Sequence, residues 1–403
     1  MKRINFIQAK LLQCRQKWQS NRTGGILVLA AFMLVIVFAF AAFTVEYGMI
    51  AVTQGQLQNA SDAASHAAML EYARSIGPDA EISNDEGEDA ARESAVDMIS
   101  RFRTGNVAST HADPALDVRF GTRTWSAGSN SWVEDWSSDG PFNMVEVTPR
   151  KIKERNTELP MTFGRVLGVD GHELERSSVA AVVAADGFKM RENAGEWIGI
   201  LPIAVDLGTW EKLVNSNTGG STSGFSDNYS YAGGTAIDSG SDGIRELNIY
   251  PDLNTSLPPG NRGTVDIGSP NNSTQDLKRQ IVSGLNSYDL SFFPNGELHA
   301  SVEDPLLLNG DPGISAGIEN SLQSIIGQSR AIPIFTQVSG PGNNATYTVV
   351  KFVGVRILHV NLSGGPKKRS LMVQPATFES PHIIRGTSEI TYDSIISKPF
   401  LIR

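Results

Sequence analysis

The hydrophobic pattern begins with one unbroken apolar run in an otherwise polar chain, TGGILVLAAFMLVIVFAFAAFTV at residues 23–45. A helix of about 20 apolar residues crosses a hydrocarbon layer roughly 30 Å thick. The 22 residues before the run carry six basic side chains and no acidic one, and the first charge after it is Glu46. This asymmetry predicts a transmembrane helix at 23–45, a cytoplasmic basic lead at 1–22, and a body on the far side of the membrane.

A cleavable signal peptide is the alternative interpretation of the run. Ala39-Phe40-Ala41 has the small-residue spacing of a cleavage site. However, the run is longer than the roughly 7–15 apolar residues of a signal peptide, and the basic lead is also long for one. We therefore expect a retained anchor rather than a secreted chain.

A helical pattern continues past the run. Residues 47–76 contain no proline and are rich in alanine, the strongest helix former. A stripe of small side chains follows one face at helical spacing and suits close packing against a sheet or another helix. Its members are Ala60, Ala64, Ala67 and Ala68. Gly77-Pro78 ends this helix, because proline cannot continue the hydrogen-bond ladder. A second helix is predicted at 88–102, after an acidic stretch at 84–89.

Alternating and β-branched segments dominate the rest of the chain and predict an α+β fold, in which the long helix packs on an antiparallel sheet in a pilin-like way. A short helical turn is predicted at 162–167. Two further helices are predicted at 273–285 and 314–327. The predicted strands are 115–125, 131–136, 143–149, 177–185, 331–338, 345–362 and 370–378.

The change in composition near residue 190 predicts two regions beyond the membrane. The first is an α+β domain at 46–188, and the second is a strand-rich α+β domain at 189–403. Glycine, serine and asparagine dominate residues 215–245, a composition typical of a flexible loop.

The net charge of −9 is unevenly divided, because the first 22 residues carry +6 and the remainder carries −15. An acidic body argues against nucleic acid as a partner. The single cysteine, Cys14, lies in the basic lead, so the predicted exported part has no disulfide.

The motifs that carry catalysis are missing from the sequence. The histidines lack the His-Glu-x-x-His spacing of zinc sites, and the chain has no nucleophile elbow, Walker loop or dinucleotide fingerprint. Asp62 and His66 stand at i, i+4 on one helix face, but a surface pair is the simpler interpretation because no nucleophile accompanies them. We therefore predict no catalytic, cofactor-binding or metal-binding residues, and a protein that is not an enzyme.

Two segments resemble a known family. Val45, Glu46 and Gly48, followed by the helix LQNASDAA at 57–64, are similar to the start of TadE-like and TadG-like proteins of the Tad, or Flp pilus, machinery of bacteria. In that family an aspartate stands where this chain has Glu46. The segment LPMTFGRVLGVDGHELERSSVAAVVA at 159–184 resembles the closing part of the same module.

The resemblance implies a non-enzymatic component of a pilus assembly or secretion apparatus. It would lie in the bacterial inner membrane, with its body periplasmic or extracellular. Its partners would be lipid and other pilus or secretion subunits, and a homo-oligomer is also possible. The residues expected to act at the membrane boundary or in assembly are Gly24, Gly25, Glu46, Gly48, Ala60, Asp62, Ala64 and Ala67. For Glu46, a simple boundary residue and a pairing with a partner subunit are both open.

The chain also departs from relatives of this machinery. Five residues after Gly25 stands Ala30, where cleaved prepilins carry a glutamate, so prepilin cleavage is not expected. The Asp-x-Ser-x-Ser metal motif of longer TadG-like proteins is missing. Two other functions remain as alternatives: a membrane-tethered envelope enzyme of hydrolase type, and a ligand-binding surface adhesin.

Overall fold

The computed structural model describes most of the chain, with short gaps. The described residues are 23–192, 195, 197–231, 233–234, 237–251, 262–268, 273–340 and 345–403. The basic lead predicted at 1–22 lies outside them.

The helices of the described residues are dominated by one long N-terminal element, α1. The helices are α1 (Thr23–Tyr72), α2 (Asn84–Ser100), α3 (Leu207–Asn217), α4 (Thr274–Ser283), α5 (Ser287–Leu290) and α6 (Glu319–Gln323). Short 3-10 turns add Ala73–Ser75, Gly164–Leu167, Pro294–Gly296 and Ala316–Ile318.

The strands are mostly short and follow α2. In the first half of the chain they are β1 (Val118–Ser126), β2 (Ser131–Asp135), β3 (Met144–Val147), β4 (Arg150–Lys151), β5 (Leu159–Pro160), β6 (Gly171–His172), β7 (Leu174–Glu175), β8 (Ser178–Ala181) and β9 (Ala185–Lys189). The later strands are β10 (Ile203–Asp206), β11 (Tyr229–Tyr231), β12 (Ile237–Ser239), β13 (Leu247–Tyr250), β14 (Gly263–Val265), β15 (Glu297–His299), β16 (Leu306–Pro312), β17 (Ser329–Ser339), β18 (Ala345–Asn361), β19 (Ser370–Pro375), β20 (Ile383–Arg385) and β21 (Phe400–Leu401).

The chain folds as two compact units, each made of separate segments. The first unit comprises the described residues up to Ser61, together with Ile99–Ala112 and Thr148–Arg176. Its strands form two short antiparallel pairs, β4 with β7 and β5 with β6. Its small apolar core consists of Leu57, Leu159 and Leu174, with Ile50 packed against them.

The second unit comprises Asp62–Met98, Asp113–Val147 and Ser177–Arg403. It contains a five-stranded antiparallel sheet in the order β2-β1-β3-β8-β21. It also contains a seven-stranded sheet in the order β13-β19-β18-β16-β14-β10-β17, in which β17 pairs again with β18. That additional pairing closes β18, β16, β14, β10 and β17 into a ring. Apolar side chains of the sheet and of α3, α4 and α6 form the larger core.

The end of α1 packs on the five-stranded sheet. Tyr72 is fully buried, its ring lies 5.5 Å from that of Phe120 on β1, and its hydroxyl accepts a hydrogen bond from the backbone N–H of Phe142 at 2.9 Å. Ala64 and Ala68 are also fully buried. The predicted α+β class, with a long N-terminal helix followed by a strand-rich region, is therefore confirmed.

The start of α2 differs from the sequence-based prediction. The helix begins at Asn84 rather than at 88, so the acidic stretch belongs to its first turn. Ser83 explains the earlier start, because its hydroxyl accepts from the N–H of Glu86 while the Glu86 carboxylate accepts from the Ser83 N–H. This reciprocal cap, with acidic side chains at the positive end of the helix, stabilises the first turn.

Other elements were predicted less accurately. The helix predicted at 314–327 is a 3-10 turn followed by the short α6. Helix α3 was not predicted; its start is fixed by the Asp206 carboxylate, which accepts from the Thr209 N–H at 2.8 Å. Residues 215–245 have a composition typical of a flexible loop, but the structure contains a short antiparallel strand pair within them, β11 with β12. The predicted boundary between 46–188 and 189–403 stays a prediction.

Candidate functional site

The first half of α1 is an apolar rod that the rest of the fold leaves uncovered. Among the described side chains of residues 26–45, all are exposed except Ala42, which is half-buried. One helix in the described residues, Ile26–Ser75, is long and apolar enough to cross a membrane. Signal sequences near an N-terminus can pass the same test, and the retained anchor is therefore a proposal.

Burial changes abruptly at Glu46, which directly follows the run and is only 8% exposed. One of its carboxylate oxygens, Oε1, accepts two backbone hydrogen bonds, from Phe163 N–H at 2.5 Å and from Gly164 N–H at 3.0 Å. Both partners belong to the same unit as Glu46. Hydrogen bonds from N–H groups to an ionised carboxylate are stronger than neutral ones. Glu46 therefore joins the helix to a loop of its own chain.

The loop that Glu46 holds is the helical turn predicted at 162–167, which the structure has as a 3-10 turn at Gly164–Leu167. The turn ends at Gly168, whose φ of 82° is the left-handed conformation that favours glycine. A Cβ added at Gly164 would lie 3.0 Å from the carbonyl oxygen of Val169, closer than ordinary van der Waals contact, so a larger residue there would require a small shift. The glycines thus allow a tight turn whose first N–H groups point to Glu46.

A shallow groove of about 460 Å³ lies on α1 just beyond the run, within the first unit. Its helix side exposes Val45, Met49 and Val52, at a spacing that places them on one face. Gly48 lies among them, and a Cβ added there would meet no atom within 4 Å. The groove is lined by Val45, Gly48, Met49, Val52, Thr53, Gln56, Arg103, Gly105 and Leu159.

The other residues singled out from the sequence fall in different environments. Gly24 and Gly25 lie in the first turn of α1, where burial is not described. Ala60 and Ala64 are fully buried, whereas Ala67 and Asp62 are half-buried. The stripe of small side chains is thus largely covered by this chain itself, whereas Gly48 is exposed.

The second unit contains a buried ion pair that sequence reasoning missed. The side chains of Asp79 and Arg356 are 11% and 7% exposed, and the guanidinium of Arg356 pairs with the Asp79 carboxylate. Asp79 also accepts from the Thr377 N–H at 2.6 Å, and Arg356 donates to the carbonyl oxygen of Gly327 at 2.6 Å. The Arg356 guanidinium lies 3.4 Å from the centre of the Tyr231 ring. These contacts fasten the segment after α1 to strand β18.

This ion pair lines a groove of about 1120 Å³ within the second unit. The groove also exposes Arg74 and Glu81, which form a surface ion pair at 2.9 Å. Asp242 and Glu379 line the groove as well, and burial raises the pKa of the Glu379 carboxyl. No histidine, cysteine or lysine is among the described residues that line it, so the usual partners of a carboxylate in proton transfer are not found there.

His359, His382 and Asp266 are described titratable groups that lie outside both grooves. In the described residues no group of three or more His, Cys, Asp or Glu could hold a metal ion. His359 stacks on Tyr229, and His382 accepts from the Arg191 N–H through Nδ1 at 3.1 Å. Burial and the nearby carboxylates of α4, α5 and β16 raise the pKa of Asp266 to about 6, but Asp266 lines neither groove described above.

Residues 24–74 match the sequence model of one family, described as putative Flp pilus-assembly TadE/G-like. The match confirms the resemblance seen at residues 45–64 and spans α1, and it ends before the second resembling segment at 159–184. No curated protein and no solved structure matches the chain.

Proposed function

We propose that this chain is a non-enzymatic, membrane-anchored component of a Tad or Flp-type pilus assembly or secretion apparatus. The family match over residues 24–74 is the observation that carries this proposal. Glu46 supports it further, because its hydrogen bonds join the matched helix to the second segment that resembles the same family.

The proposed location is the bacterial inner membrane. Residues 26–45 supply about 30 Å of exposed apolar helix, the thickness of a hydrocarbon core. The basic lead would stay in the cytoplasm, and the acidic body would lie in the periplasm or outside the cell. The two predicted body domains, 46–188 and 189–403, are part of this proposal.

The groove on α1 is the proposed contact with other subunits or with a second copy of the chain. Helices in or near a membrane associate through close packing at small residues, since lipid tails are as apolar as leucine. Gly48 is a small, exposed residue that lines this groove, with exposed Val45 and Val52 on either side. The buried Ala60 and Ala64 would instead pack α1 against other parts of the same chain.

A membrane-tethered enzyme and a surface adhesin remain the competing functions. The two arginines of the larger groove are paired with carboxylates, and no histidine, cysteine or lysine is among the described residues that line it, which argues against an enzyme that uses it. A ligand-binding role would require a recognition surface in the second unit, and no observation among the described residues favours one over the assembly role.

The assembly role is tested with Gly48→Leu, which fills the groove. Because a Cβ at Gly48 meets open space, the chain itself should fold normally. We expect several-fold less co-purification of other pilus subunits after crosslinking in membranes of the source bacterium. Ala51→Leu, on an exposed helix position outside the groove, is the matched control and should retain the parent level. Equal co-purification for both variants, or no pilus subunit captured by the parent chain, would contradict the proposal.

A further inference from the structure

The loop bound to Glu46 carries the two most exposed large apolar side chains in the part of the chain that the structure describes. Leu167 is 86% exposed and Val166 is 84% exposed, more than Leu27 in the apolar rod at 75%. Phe163 and Val169 on the same loop are 44% and 48% exposed. Apolar groups gathered in this way on a surface mark a contact with a membrane or another molecule.

The loop is built to hold these side chains in place. Its ends are tied by the pairing of β5 with β6 and by a hydrogen bond from Met161 N–H to the Asp170 carbonyl oxygen at 3.0 Å. Inside it, Val169 N–H donates to the carbonyl oxygen of Gly164 at 3.0 Å. The backbone of the loop is therefore largely ordered before it meets a partner, which lowers the entropy cost of binding.

The level of the loop along α1 follows from the direction of the Glu46 side chain. Side chains of a helix lean toward its N-terminus, so the Glu46 carboxylate lies over the preceding turn, at the end of the apolar rod. The backbone of Phe163 and Gly164 is bound there. Ala42 lies one turn before Glu46 on the same face and is the one described residue of 26–45 that is not exposed. Other parts of the chain therefore partly cover α1 at this turn.

The charges of the loop suit the boundary between lipid and water. The side chains of Arg165 and Asp170 are 63% and 84% exposed, and the Arg165 guanidinium lies 3.8 Å from the Asp170 carboxylate. An arginine at this depth can lay its apolar stem along lipid and keep its charge among the headgroups.

We infer that residues 163–169 enter the outer leaflet of the membrane and form a second lipid contact beside the transmembrane helix. Lipid is the occupant that the structure favours, because the loop is bound at Glu46, which directly follows the exposed apolar residues 26–45 that lipid would cover. Together the helix and the loop would fix the tilt and rotation of α1 at its outer end. The inference rests on the proposed membrane anchor.

The test measures the depth of single fluorescent labels in the full chain, purified and placed in lipid vesicles. Cys14→Ser removes the native thiol, and an environment-sensitive dye is attached to Leu167→Cys, Val35→Cys or Val302→Cys in turn. Val35 lies in the apolar rod, and Val302 is a 73% exposed residue of the second unit that serves as the matched control. Quenching is then compared between lipids with a spin label near the headgroup and lipids with one deep in the acyl chains.

We expect the dye at 167 to be quenched several-fold more than the dye at 302, and most strongly by the shallow spin label. Strong quenching at 35 together with background quenching at 167 would overturn the inference and leave the anchor intact. A blue-shifted dye at 167 without quenching would also overturn it, because protein rather than lipid would then cover the loop. Background quenching at 35 and 167 alike would contradict the anchor as well.

Discussion

Asp79→Ala is expected to lower the free energy of unfolding of the second unit by about 3–5 kcal/mol, because removing one partner of a buried ion pair leaves the other charge unpaired. Arg356 would lose the Asp79 carboxylate while its side chain stays 7% exposed. The backbone N–H of Thr377 would lose its acceptor as well. Urea unfolding of the full chain in detergent, followed by circular dichroism, measures the change.

The matched control for Asp79→Ala is Glu81→Ala, two residues along. Glu81 is also paired with an arginine, but its side chain is 67% exposed and that of Arg74 is 46% exposed. An exposed pair contributes about 0–1 kcal/mol, so the control should unfold almost like the parent. Equal effects of the two substitutions would show that the Asp79 pair is not buried in solution.

Leucine at the buried alanines of α1 is expected to destabilise the fold by about 1–3 kcal/mol per site through steric overfilling. Ala60 and Ala64 are both fully buried, so Ala60→Leu and Ala64→Leu should each show this loss in the same unfolding measurement. Ala67 is half-buried, and Ala67→Leu should cost less.

Ala51→Leu makes the same chemical change at an exposed position of α1 and should be nearly neutral. Membrane insertion should persist in all four variants, because none of them alters residues 23–45. If Ala64→Leu were as stable as Ala51→Leu, the alanine face would be exposed to solvent, and this part of α1 would not pack against the rest of the chain.

Local patterns predicted the elements that depend on near neighbours. The long N-terminal helix follows from an apolar run of sufficient length, and the burial of Ala60 and Ala64 follows from their helical spacing. The end of α1 before Gly77-Pro78 was also predicted correctly; Gly77 has a φ of 104°, and a Cβ there would meet Thr377 Oγ1 at 2.1 Å.

Contacts between distant parts of the chain could not be predicted in the same way. Glu46 binds backbone N–H groups more than a hundred residues later. Because every residue except proline carries a backbone N–H, the sequence does not indicate which of them a carboxylate will bind. Asp79 and Arg356 are 277 positions apart, and many other acid–base pairs were equally compatible with the composition. The early start of α2 could have been predicted, because Ser83 and Glu86 have the spacing of a capping box.

The central claim, a role in pilus assembly, is tested most directly by counting surface pili on cells of the source bacterium from which this chain has been deleted in frame. Electron microscopy of the deletion strain should show loss of pili, and the parent chain supplied in trans should restore them. Normal pili on the deletion strain would contradict the account.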